Sequence, residues 1–251
     1  MQLQFDLCPS ASSAQKGPVR ERWGGLGPLL ARAGRRVDYR RRDEWGDPIT
    51  PSTGLLDRIG ALMPVSYSGV ILLICILVFF LGYYIPIVEE FVQNYLILAR
   101  NHALEMPWTI LTYMFVHGGF NHLFFNMLFL FFFGMELERR VGPGEFLQIY
   151  ILSGIFAALA QMAVSSVPMV GASGALYGVL GCLAIIAPEI RLLLFFMIPM
   201  SIRWAVVLFA LIDLLFMGSA DNIAHMAHIA GLVVGLAFGQ MMKGQAQYYY
   251  R

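Results

Sequence analysis

From Phe146 to Pro188 the chain runs for 43 residues without one charged side chain. A bilayer crossing takes about 20 apolar residues in a helix, so this run is too long for one span and reads as two. The polar break Ser165-Ser166-Val167-Pro168, followed by Gly171-Ala172-Ser173-Gly174, marks the division. Composition points the same way: 58% of residues are hydrophobic, 13% are charged and the mean hydropathy is +0.67. A soluble domain must cover its surface with more polar groups than that.

Other apolar runs extend the pattern. Ile59 to Val88 is uncharged and holds a first span; a second is expected near Asn121 to Met135. Leu192 to Pro199 is apolar but short and ends in proline, so a fifth span is placed at Ile202 to Phe216 and a sixth at Asn222 to Met242. The expected fold class is an all-α membrane protein, a bundle of six transmembrane helices over residues 63–243. The positive-inside rule gives an independent check. With the N-terminus cytosolic, the cytosolic connections carry Arg139, Arg140, Arg191 and Arg203, and the C-terminal tail 244–251 returns to the cytosol. The opposite loops carry Arg100 with Glu89, Glu90 and Glu105.

Residues 1–62 are of another kind. Rich in Gly, Pro, Ser and Arg, they hold ten of the 17 basic residues and have no sustained apolar face. They read as a disordered, membrane-proximal cytosolic tail. Asp6, Glu21, Asp38, Asp43 and Glu44 argue against a mitochondrial presequence, no signal peptide is visible, and translation from Met63 is an alternative. Nucleic-acid binding finds no support, because the net charge is +1 and the basic residues are segregated at one end. Cys8, Cys75 and Cys182 have neither metal-ligand nor CxxC spacing, and no disulfide framework is expected.

The chemistry concentrates in three places. In Gly171-Ala172-Ser173-Gly174-Ala175-Leu176-Tyr177-Gly178, a serine flanked by glycines opens a buried helix. The glycines let another backbone approach, and the first-turn N–H groups lack an intrahelical acceptor. The Ser173 amide is therefore placed to stabilise an oxyanion on a carbonyl that Ser173 attacks. In the sixth span, His228, Gly231 and Gly235 fall on one stripe, which would bring His228 close to the helix carrying Gly174, Gly178 and Gly181. An imidazole there can take the serine proton and return it to a leaving amine. Asp213 and Asp221 are candidates for a third member on paper alone, so the reading is a Ser–His dyad. In the second span, His122 and Asn126 share a helical face, and polar groups so placed need a partner or a water-filled cavity.

GASGALYG, AHIAGLVVG and HGGFNHLFFN occur here in the order and span positions of the rhomboid family of intramembrane proteases, and the resemblance covers roughly residues 63–243. It implies Ser173 as nucleophile, His228 as general base, Tyr177 packed on the imidazole, and His122 and Asn126 lining an oxyanion hole with the Ser173 amide. Glu105-Met106-Pro107-Trp108 and Glu138-Arg139-Arg140-Val141-Gly142 resemble structural turns of the family. Thr109 departs, standing where the family often has arginine, which bears on how that loop is anchored. The resemblance further implies single-pass membrane-protein substrates whose helices unwind near small residues, an active site open to water from the non-cytosolic side, and no cofactor. The compact core points to a bacterial inner membrane.

Simpler readings stand beside these. His225, one turn before His228, is expected to be structural or to support that residue, His117 to be structural at the mouth of the second span, and Asp213 to make a helix-end hydrogen bond. A metal site is disfavoured because there is no HExxH and no ligand carboxylate is seen near the histidine-rich helices. Two other functions remain: a relative that binds transmembrane clients without cutting them, and a small-solute transporter, for which neither repeats nor several charged spans are found.

Overall fold

The computed structural model describes residues 66–194, 197–219 and 223–243. The basic stretch 1–62, Met63, Asp221 and the tail 244–251 lie outside them. The six segments expected to span are each helical within the described residues. Four are long and apolar enough to cross a membrane: Tyr67–Tyr84, Phe120–Val141, Pro143–Val164 and His225–Met242.

Helix α1 (Tyr67–Tyr84) is capped by Ser66, whose side chain accepts from the Gly69 amide at 3.1 Å. Pro86 opens the short α2 (Pro86–Tyr95), a position where its missing N–H costs nothing. After a loop and the single turn α3 (Thr109–Thr112), α4 (Phe120–Phe129) runs through a π-helical turn, Leu130–Gly134, into α5 (Met135–Val141). This span was expected to stop at Met135, before the charges of Glu136 and Glu138. It continues because Glu138 is not a solvated charge. Its buried carboxylate accepts from the Ser66 hydroxyl (2.8 Å) and from the amides of Tyr67 (2.7 Å) and Ser68 (2.9 Å), orphan donors at the start of α1.

Gly142, at φ +91°, ends α5, and Pro143 starts α6 (Pro143–Val164). Next comes α7 (Ser173–Ile186), the most enclosed helix, with ten of its 14 residues buried. A β-hairpin follows, β1 (Arg191–Leu194) with β2 (Ile198–Ser201), pairing Leu193 with Pro199. The all-α expectation is corrected here. Proline is tolerated because both strands of a two-stranded sheet are edges. The chain ends in α8 (Ile202–Leu215) and α9 (His225–Met242). At 14 residues each, α7 and α8 are about 21 Å long, shorter than the ~30 Å hydrocarbon core.

The closest helix pair is α7 with α9. A Cβ on Gly231 would collide with the carbonyl oxygen of Gly174, and one on Gly235 with that of Gly178. Backbone therefore touches backbone along the glycine stripes, which is how helices associate where lipid is as apolar as leucine. This contact carries His228 to the head of α7.

Candidate active site

Ser173 is the first residue of α7. The segment before it is tied down from two sides. Leu98 and Met169 exchange backbone hydrogen bonds at 2.8 and 3.2 Å, and the Gly171 amide donates to the Tyr113 carbonyl at 2.9 Å. Gly171 lies at φ +111°, left-handed backbone, and a Cβ there would stand 2.5 Å from Nε2 of His122. Both facts require glycine. The first backbone bond of α7 runs from Leu176 to the Ala172 carbonyl, so the Ser173 amide has no acceptor on its own helix.

His228 lies 9% exposed on α9, with Nε2 2.8 Å from Ser173 Oγ. Tyr177, one turn beyond Ser173, stacks on its imidazole with centroids 4.3 Å apart and planes at 8°. The start of α9 is held to α6 by the Ala227 amide, which donates to Gln161 Oε1 at 3.3 Å. Gly174, Gly231 and Gly235 make the helix contact described above.

Of the second-span residues, His122 comes to the site, its ring against Gly171. Asn126 is 5% exposed and turns its amide to its own helix, donating from Nδ2 to the His122 carbonyl at 2.8 Å, which leaves the second Nδ2 hydrogen uncommitted by that bond. His117 packs edge-on to His122, with centroids 5.2 Å apart. It borders a cavity of about 490 Å³ with the end of α1, Glu89 and Gln93. The loop resembling the family's approach to the second span is anchored without arginine. Trp108 donates from Nε1 to the Tyr95 carbonyl at 2.8 Å, and buried Thr109 donates to the Met106 carbonyl at 2.7 Å.

Asp213 is the residue that sequence reasoning undervalued. It sits near the end of α8, 2% exposed, with Oδ1 2.9 Å from Nδ1 of His228 and 2.7 Å from Nδ1 of His225. It is thus not confined to a helix-end bond, His225 stands beside it in a supporting position one turn from His228, and the histidine-rich helix does have a carboxylate beside it. Ligating atoms of the three side chains gather within 4.8 Å, and the contacts among them are the two hydrogen bonds just given. The available signal was a charge inside an apolar span, which is costly unless partnered. Its partners lie 12 and 15 residues on, across a turn, where helical periodicity gives no guidance.

Residues 104–245, more than half of the chain, match the family model for the Rhomboid domain. The chain is 38% identical over 128 residues to Rhomboid protease GluP of Bacillus subtilis, covering 51% of this chain and 24% of that one. It is 26% identical over 178 residues to Rhomboid protease GlpG of Yersinia enterocolitica, covering 69% and 60%. It is also 37% identical over 87 residues to Inactive RHOMBOID-like protein 8 of Arabidopsis thaliana, covering 34% and 24%. The chain therefore spans between a quarter and three-fifths of the length of these relatives. With the family's domain matched from the loop before the second span to the end of the last helix, this multi-pass membrane protein belongs to the rhomboid family.

Proposed function

We propose that the chain is an intramembrane serine endopeptidase that cuts transmembrane segments of other membrane proteins. The observation that carries this is the 2.8 Å contact between Ser173 Oγ and His228 Nε2, made inside a bundle of apolar helices. Nucleophile and base within hydrogen-bond reach are the minimum for acyl transfer.

The chemistry follows from that pair. His228 Nε2 takes the Ser173 proton as Oγ attacks the scissile carbonyl carbon. Negative charge collects on the carbonyl oxygen, beside the free Ser173 amide, with His122 and the second Asn126 N–H as further donors. The C–N bond breaks as the imidazolium gives its proton to the leaving amine, and the acyl group stays on Ser173. His228 then takes a proton from a water whose oxygen bonds the acyl carbon, and gives that proton to Oγ as the ester bond to Ser173 breaks.

We read the substrates as single-pass membrane proteins whose helices unwind near small residues, since a peptide bond in an intact helix cannot present its carbonyl carbon to Ser173. We place six crossings, α7 and α8 being the short ones, with both termini cytosolic and the site opening to the other side in a bacterial inner membrane. The test is labelling by a fluorophosphonate probe, in detergent, of wild type, Ser173→Ala and His228→Ala. Labelling of wild type alone supports the reading. Equal labelling of Ser173→Ala rejects the site, and silence of the wild type favours a relative that binds clients without cutting them; one of the relatives above is named as inactive.

A further inference from the structure

We propose that Asp213 is a positioning residue that fixes the tautomer of His228, and that it does so through one carboxylate oxygen shared with His225. The proposal deepens the protease reading and rests on it. Asp213 Oδ1 stands 2.9 Å from His228 Nδ1 and 2.7 Å from His225 Nδ1, and all three side chains are buried. A carboxylate accepts and does not donate, so each Nδ1 facing it carries the proton. A neutral imidazole has one N–H. Protonated at Nδ1, His228 keeps its lone pair on Nε2, the atom 2.8 Å from Ser173 Oγ. The ring is thereby set as an acceptor toward the nucleophile before substrate arrives, and the imidazolium that forms on proton transfer finds a counter-charge already in place.

His225 has its own part. It lies one turn before His228, with its ring crossing that of His228 at 86°. The two imidazoles reach the same oxygen from different directions, so Asp213 is not free to swing away from either. Tyr177, on α7 and stacked on the His228 ring, also faces this carboxylate. The site is then a chain, Ser173–His228–Asp213–His225, built from α7, α9 and α8, rather than an isolated pair.

The test uses the full chain in detergent as wild type, Asp213→Asn, His225→Asn and Ser173→Ala, with kinact and KI for a fluorophosphonate measured separately. Nitrogen NMR of ¹⁵N-histidine protein reports which ring nitrogen of His228 is protonated. We expect Asp213→Asn to lower kinact at least about 100-fold with KI unchanged, since an amide favours the wrong tautomer. His225→Asn should fall between it and wild type. Wild-type kinact in Asp213→Asn overturns the proposal, as does a His228 protonated at Nε2 in the wild-type spectrum, which decides even if Asp213→Asn does not fold. A wild type that labels no better than Ser173→Ala removes the protease reading alone. The spectrum then judges the Asp213 orientation by itself.

Discussion

The Tyr177 ring lies flat on the His228 imidazole, 4.3 Å between centroids and 8° from parallel. The stack restrains rotation of the imidazole plane while leaving both its nitrogens to Ser173 and Asp213. Stacked aromatic pairs contribute about 0.5–1.5 kcal/mol beyond their burial, the upper end of which is roughly tenfold in rate. Tyr177→Ala should therefore slow fluorophosphonate labelling by about tenfold. Tyr177→Phe, which keeps the ring, should stay near wild type. Equal loss in both would mean that the hydroxyl, not the stack, matters.

The contact of α7 with α9 makes a sharp prediction about stability. A methyl at Gly231 would drive into the Gly174 carbonyl, and backbone cannot move aside as a side chain can. Overpacking of this kind costs about 1–3 kcal/mol or more. Gly231→Ala should lower the midpoint of thermal unfolding in detergent by several degrees. Gly119→Ala is the control, because a Cβ at Gly119 meets nothing within 4 Å. If the two variants melt together, the helices do not pack as tightly as described.

Glu138 offers a third. Its carboxylate receives two backbone amides and the hydroxyls of Ser66 and Ser68 at the head of α1. Hydrogen bonds to charged groups are worth about 1.5–3 kcal/mol each, and removing the acceptor leaves several donors stranded. Glu138→Ala should cost at least about 3 kcal/mol by that measure, and Glu138→Gln less, since the amide keeps one acceptor oxygen. Early proteolysis near residue 66 in the alanine variant would show α1 detaching. Unchanged melting would make the contact dispensable.

These residues also show what the sequence could convey. Ser173, His228 and the glycine stripes could be read as neighbours because helical spacing put them on faces. The serine between glycines gained meaning only beside the histidine helix, since small residues in membrane helices are more often packing contacts. Glu138 was read as the end of a span, since its partners lie about 70 residues away. Asp213 was discounted for the same reason: its value depends on a turn between α8 and α9 that periodicity does not describe. The hairpin at Arg191–Ser201 was missed because an apolar run of that length fits a helix, a loop or a strand equally.

Gly171 separates the cost of folding from the cost to chemistry. At φ +111° an alanine is strained by about 1–2 kcal/mol, whatever space it has. Its Cβ would also press on the His122 ring, 2.5 Å from Nε2, two residues before the nucleophile. Strain alone would lower stability and leave labelling per folded molecule intact. Displacement of His122 or of the Ser173 amide would lower labelling as well, because losing one oxyanion donor typically costs about 10²–10³-fold in rate. Gly171→Ala should therefore melt earlier and label far more slowly. His122→Ala, which removes the ring and opens room for the methyl, should label slowly without the loss of stability. The double variant then decides the cause. If Gly171→Ala adds nothing to the labelling defect of His122→Ala, the glycine serves the site by making room for that ring. If the defects multiply, Gly171 acts through the Ser173 backbone instead.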